Sequence, residues 1–197
     1  MSTRPTKEQL AAARDTTIPD VLAPDLDVLF CGINPGLYSG ALGLHFARPG
    51  NRFWPALHLG GFTPRRFDPS EQDELLELGI GITNVVARTT ARADELTDEE
   101  FRVGGEILTA KVIEYRPRWL AVVGITAYRS AFGEPKARMG RQERRIGEAG
   151  VWVLPNPSGL NAHWTQATLG AEFAILRQAT LSSTKRPGKV RKPPSTP

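Results

Sequence analysis

Few side chains in this sequence can do chemistry, and those that can sit in turns. Asn34 lies in Cys31-Gly32-Ile33-Asn34-Pro35-Gly36, directly after the apolar run Val28-Leu29-Phe30. An amide there can orient a reactant or a water, but it is no useful base near neutral pH. Gly32 and Gly36 are expected to supply backbone angles that other residues resist and to admit a ligand close to the main chain. Pro35 fixes the turn and biases Asn34 toward an extended conformation. A second Asn-Pro turn, Pro155-Asn156-Pro157-Ser158-Gly159-Leu160, follows the apolar run 151–154. One Asn-Pro-Gly is well explained as a structural Asx-turn. Two Asn-Pro turns, each closing an apolar run, are harder to assign to chance.

The commoner chemistries are missing. The sequence has no GxGxxG fingerprint, P-loop or GxSxG elbow. His45, His58 and His163 are far apart, and no Cys or His cluster has metal-ligand spacing. His45, beside Phe46, is a candidate pocket residue, whereas His58 reads as helix packing. Cys31 is the only cysteine, so no internal disulfide forms, and its place in a hydrophobic run favours an inert thiol. What remains is a site without metal or cofactor, built from asparagine and backbone amides, with room for one carboxylate.

The elements that must position these groups alternate. "LDVLFCGI" (26–33), "WLAVVG" (119–124) and "VWVLP" (151–155) read as buried parallel strands, with "GIGITNVV" (79–86) a weaker fourth. Helical patterns lie between and after them: "NRFWPALHLGG", "SEQDELLELG", "ELTDEEFRVGGEILTAKVIEYRP", "TAYRSAFG" and "TQATLGAEFAILRQA". Ser70 with Asp73 resembles a capping box. Gly104-Gly105 is expected to kink or break the longest helix. The alternation predicts a three-layer α/β/α sandwich around a mostly parallel sheet. Its strand carboxyl ends would gather Asn34, Thr83-Asn84 and Asn156 on one edge, where open α/β sheets bind ligands.

The 197 residues suit a single domain with a sizeable core. No apolar run approaches a membrane span and the N-terminus lacks a signal-peptide pattern, so a cytoplasmic protein is expected. Five cations in 184–197 (Lys185, Arg186, Lys189, Arg191, Lys192) account for more than the net charge of +4; without them the chain carries −1. The organisation expected is a flexible N-terminal segment over 1–19, one domain over 20–183, and a basic Pro-rich disordered tail over 184–197. Within the first segment "TKEQLAAAR" can form a short helix. The tail reads either as a phosphate-attracting arm or as a plain solubilising end.

"GINPGL" (32–37), "FARPGNRFWPAL" (46–57) and "VLPNPSGL" (153–160) together resemble the mismatch-specific uracil-DNA glycosylases, the thymine-DNA glycosylase-like branch of the uracil-DNA glycosylase superfamily. The resemblance runs from about residue 20 to 180 with motif order and spacing kept. It implies an α/β/α fold, a monomer without cofactor, and a double-stranded DNA partner containing mismatched uracil. It implies base flipping followed by hydrolysis of the N-glycosidic bond. Position by position, Asn34 falls at the water-positioning residue and Ile33 among the backbone contacts to uracil. Phe46 falls where an aromatic stacks on the flipped base. Tyr38 and Ser39 fall at the pyrimidine C5 edge. Asn156 and Ser158 open the second motif, near the target nucleotide and its phosphates. Gly159 and Leu160 match the loop that enters the duplex, with Leu160 as the wedge. The sequence departs from the familiar bacterial relatives at Ala162, where they carry an arginine.

A second departure is "ARADEL" (91–96). Faster superfamily members supply a carboxylate beside the sugar, and Asp94 follows the loop leaving the strand over 79–86. Asp94 is therefore read either as a second catalytic group or as the cap of the helix that follows. Two other functions stay open beside the glycosylase: a non-catalytic mismatch or abasic-site binding protein, and an enzyme acting on free nucleosides. Leu160 and the basic tail argue against the last.

Overall fold

The computed structural model describes residues 4–161 and 163–182. Five strands form one sheet in the order β2-β1-β3-β5-β4: β1 (Val28–Gly32), β2 (Ile80–Asn84), β3 (Trp119–Val123), β4 (Gly140–Ile146) and β5 (Ala149–Leu154). All neighbours pair parallel except β4, which runs antiparallel to β5. Every residue of β1, β3 and β5 is buried. That is why these strands read as unbroken apolar runs and not as alternation.

The two faces of the sheet carry separate cores. Val28 and Phe30 point to one side, where α3 (Phe53–Leu59) packs with α6 (Gln166–Ser182) and Phe30 stacks on Phe173 at 5.5 Å. Leu29 and Cys31 point to the other, against α4 (Asp98–Tyr115) and α5 (Ile125–Phe132). Two further short helices, α1 (Lys7–Ala12) and α2 (Leu37–Leu42), lie against each other. The result is the three-layer α/β/α architecture expected.

Several local expectations are corrected. Gly104 and Gly105 do not break α4, which is continuous over 18 residues. Their role is close approach: a Cβ would stand 2.3 Å from the carbonyl oxygen of Val85 at 104 and 2.2 Å from that of Ala131 at 105. The segment 69–78 is a 3₁₀ helix whose capping box is Asp68 with Glu71, not Ser70 with Asp73. Strand β4 escaped notice because Arg141-Gln142-Glu143-Arg144-Arg145 has no apolar run; it is a solvated edge. After Gly36 the chain turns at once into a short helix over 37–42. The short helix allowed for in "TKEQLAAAR" is α1, capped reciprocally by Thr6 and Gln9 and followed by the buried Ala13. The tail over 184–197 and Ala162 lie outside the described residues. No helix among those described is long and apolar enough to cross a membrane.

Candidate active site

The carboxyl ends of β1, β2, β3 and β5 open into a cleft of about 520 Å³. Ile33, Asn34, Asn84, Val123 and Asn156 line it where the strands end, with Ser39, Phe46, Asp94, Ser158 and Leu160 around them. Tyr38 is turned away and lines a neighbouring cavity of about 560 Å³ on the far side of Phe46. Of the sequence-predicted residues, Gly159 lines neither cavity.

Asn34 is tied down through its amide nitrogen. Nδ2 donates to the carbonyl of Arg88 at 2.9 Å, to Thr90 Oγ1 at 2.8 Å and to the carbonyl of Pro35 at 3.3 Å. Two carbonyl acceptors admit only the NH₂ end of the amide, which fixes the flip. The oxygen Oδ1 accepts no hydrogen bond from the described residues, so it is the atom available to hold a water. The Thr90 hydroxyl that accepts from Nδ2 donates its own proton to the carbonyl of Arg92 at 2.8 Å.

Phe46 stacks on the buried Phe53 with ring centroids 4.0 Å apart and planes 18° from parallel. Its φ of 53° lies in the left-handed region that an aromatic residue rarely adopts. Such outliers persist where surrounding structure enforces them, often at functional sites. Here the Ala47 amide donates to the buried Ser39 hydroxyl at 3.2 Å, which pins the bend. Gly32 makes the ring's position possible, because a Cβ there would meet Phe46 Cζ at 3.2 Å and Asn84 Oδ1 at 2.5 Å. Gly32 thus serves close approach, and Gly36, with φ −77°, keeps an ordinary extended backbone and leaves open space beside it. Neither glycine uses the left-handed freedom expected of it.

His45 is buried, and burial pushes its pKa below the ordinary value, which keeps the ring neutral. Nε2 donates to the carbonyl of Pro19 at 2.9 Å. That leaves Nδ1 as an acceptor for Asn84 Nδ2, 3.4 Å away. The tautomer therefore orients Asn84, and its amide oxygen lies over Gly32 at the cleft floor.

Asp94 reaches the cleft rim in a 3₁₀ turn (Ala93–Glu95), with its side chain 63% exposed. It is not the helix cap, a role Thr97 fills with Glu100 as the reciprocal partner. Arg92 grips Asp94 with two nitrogens, Nε at 2.9 Å and Nη2 closer still, and holds its carboxyl below the usual carboxylate range. The rest of this loop is fastened by Arg88, which pairs with Glu100 at 2.7 Å and holds that carboxyl down to about 2.

The loop after β5 is a chain of local turns. Asn156 Oδ1 accepts from the Ser158 amide at 2.9 Å, and the Leu160 amide donates to Ser158 Oγ at 3.3 Å. At the tip Leu160 is 77% exposed, an apolar side chain held out into solvent. Gly159 is pressed against the main chain of Gly50, where a Cβ would stand 2.7 Å from its carbonyl oxygen. Arg52, at the start of α3, clamps the loop from beneath. Its guanidinium donates to the carbonyls of Trp164, Ser158 and Asn161, the last at 2.8 Å, and its amide donates to that of Pro157 at 2.9 Å. Arg52, Thr90 and the carbonyl of Arg88 were missed by sequence reasoning; "NRF" offers no sign of partners a hundred residues on.

Chemically the cleft offers an amide oxygen to hold a water and an aromatic face to stack a planar ring. It also offers a second, oriented amide to read that ring's edge. No group of three His, Cys, Asp or Glu side chains capable of holding a metal occurs among the described residues. Comparison with known proteins gives the arrangement a context. The sequence model of the uracil DNA glycosylase superfamily matches residues 19–179. The fold is similar to the solution structure of a candidate uracil DNA glycosylase from Methanosarcina acetivorans, with a TM-score of 0.55 and 20% identity. That match covers 83% of this chain and 98% of the other, and it speaks to the fold alone.

Proposed function

The chain belongs to the uracil DNA glycosylase superfamily, and from that premise we propose that it is a monofunctional, mismatch-directed uracil-DNA glycosylase. The observation that carries this reading is Asn34: Nδ2 is spent on fixed acceptors and Oδ1 is left for a water, in a cleft walled by Phe46 and overhung by Leu160. Uracil paired poorly with guanine leaves the stack more cheaply than a Watson–Crick base. Leu160 fills the space it vacates, and Phe46 stacks on the flipped ring, a contact worth about 1–3 kcal/mol. Uracil presents an N–H at N3 beside an acceptor at O4, whereas cytosine presents the reverse. Asn84, its flip held by neutral His45, is suited to the first pattern and opposed to the second.

In hydrolysis the C1′–N1 bond breaks and the electron pair leaves with the base, so the sugar becomes oxocarbenium-like and the uracil anionic. Water oriented by Asn34 Oδ1 attacks C1′, and its proton passes to solvent. Asp94 is a poor proton acceptor while Arg92 holds it, but it stays ionised and faces the positive sugar.

The test is single- and multiple-turnover cleavage of labelled duplexes carrying G:U, with the Asn34→Ala and Asp94→Ala proteins alongside the parent. The expected result is excision that falls with each variant, with a measurable residue in Asn34→Ala and DNA binding kept in both. Asp94→Ala cutting at the parent rate would remove Asp94 from the mechanism and leave Asn34 to act alone. Tight binding of mismatched or abasic duplex without any cleavage by the parent would replace the enzyme with a binding protein.

A further inference from the structure

The family match begins at residue 19, yet the residues just before it grip the same loop that holds Asn34. Thr89 is the hub. Its carbonyl accepts from the Asp15 amide at 3.0 Å, and its amide donates to the carbonyl of Thr16 at 2.8 Å. Asp15 sits at φ 61° to make this exchange, a left-handed conformation rarely taken outside glycine and its polar substitutes. Ion pairs fasten both ends of the same loop: Asp15 to Arg88 at 2.7 Å, and Arg14 to Glu95 at 2.7 Å. On the loop's opposite face the carbonyl of Arg88 and the hydroxyl of Thr90 are the acceptors that fix Asn34. Ile18 lines the cleft, and the carbonyl of Pro19 selects the His45 tautomer that orients Asn84.

We propose that residues 13–19 are a positioning segment of the site: they set the register of loop 88–95, and through it the direction of the Asn34 amide and the placement of Asp94. The segment touches no reacting atom. It acts by removing freedom from a loop that no strand or long helix contains. Exposed ion pairs alone would do little. Here they flank a two-way main-chain exchange at Thr89, so the contacts restrain one short stretch from both ends. The effect on rate rests on the glycosylase reading above, whereas the restraint of loop 88–95 does not.

Two measurements separate these. Hydrogen exchange at the Thr89 amide reports the restraint without reference to activity. Deleting residues 1–16 should speed that exchange by on the order of a hundredfold, the loss of protection expected when a main-chain partner is removed. Single-turnover excision at saturating enzyme should fall at least about tenfold, while affinity for product duplex stays within about twofold, because the segment places groups needed in the transition state and not for binding. Should the deletion fail to fold, Arg14→Glu sets two carboxylates against each other. It should slow excision about fivefold, the equivalent of one exposed pair, and Arg14→Lys should restore it. Unchanged Thr89 exchange in a folded deletion protein overturns the proposal. So does faster exchange with excision at the parent rate, or Arg14→Glu excising as the parent does. A parent that excises no uracil, with Thr89 exchange still accelerated by the deletion, would sink the glycosylase reading and keep the restraint.

Discussion

Replacing Gly32 with alanine adds one carbon at the cleft floor, and its consequences follow from two distances. The new Cβ would stand 2.5 Å from Asn84 Oδ1 and 3.2 Å from Phe46 Cζ. The amide must retreat by at least about 0.5 Å to escape overlap. It has little freedom to do so: Asn84 pairs in register with Gly32 across the sheet, and its Nδ2 is tied to His45. Loosening that bond costs ~1 kcal/mol, and disturbing the Phe46–Phe53 stack costs ~0.5–1.5 kcal/mol more. The melting temperature should therefore drop by about 3–10 °C. Excision loses more, since the displaced amide and ring would both meet the base; about 1–3 kcal/mol of lost contact corresponds to roughly 5- to 150-fold in rate. The assay is single-turnover cleavage of a labelled G:U duplex with enzyme in excess, alongside a thermal melt. A Gly32→Ala protein that melts and cuts like the parent would refute the account of the cleft floor, because the clash would then have been absorbed without moving either group.

Leu160→Ala should slow excision from duplex by about tenfold or more while affecting single-stranded uracil much less, since only the duplex needs its gap filled; equal losses on both substrates would remove the wedge. The buried His45 supplies a pH dependence whose sign is fixed by its lowered pKa. The neutral ring is favoured in the fold, so its contribution is complete above 6.5, the ordinary value, and is lost as pH falls through the lower folded value. Stability and excision should both decline on that acid side, and His45→Gln should flatten the stability decline; an unchanged profile in the variant would transfer the effect to another group.

Legibility in the sequence followed burial. β1, β3 and β5 stood out because both their faces are covered, and the two Asn-Pro turns at strand ends lie at the edge where the cleft opens. β4 lacked an apolar run because it is an edge. Paired glycines read as a helix breaker because propensity is local, while the approach of Val85 and Ala131 main chain is tertiary. Tyr38 and Ser39 were placed together by motif alone. Adjacent residues of a helix face different directions, and α2 sends one to each side of Phe46. The anchors of Asn34 come from 54 and 56 residues away, a distance across which no local pattern operates. Asp94 stood between two readings, and neither foresaw its tether to Arg92.

The grip of Arg52 on the loop after β5 falls entirely on main-chain carbonyls, those of Pro157, Ser158, Asn161 and Trp164. Such an anchor is blind to side-chain identity: it recognises the path of the backbone, whatever residues are threaded along it. The exposed side chains of Leu160 and His163 are accordingly exchangeable, free to vary in what they present to a duplex, while Gly159 stays small against Gly50 and the seat stays the same. Substitution at the tip then leaves the scaffold alone, and a library randomised at Leu160 and His163 should remain folded across most of its members.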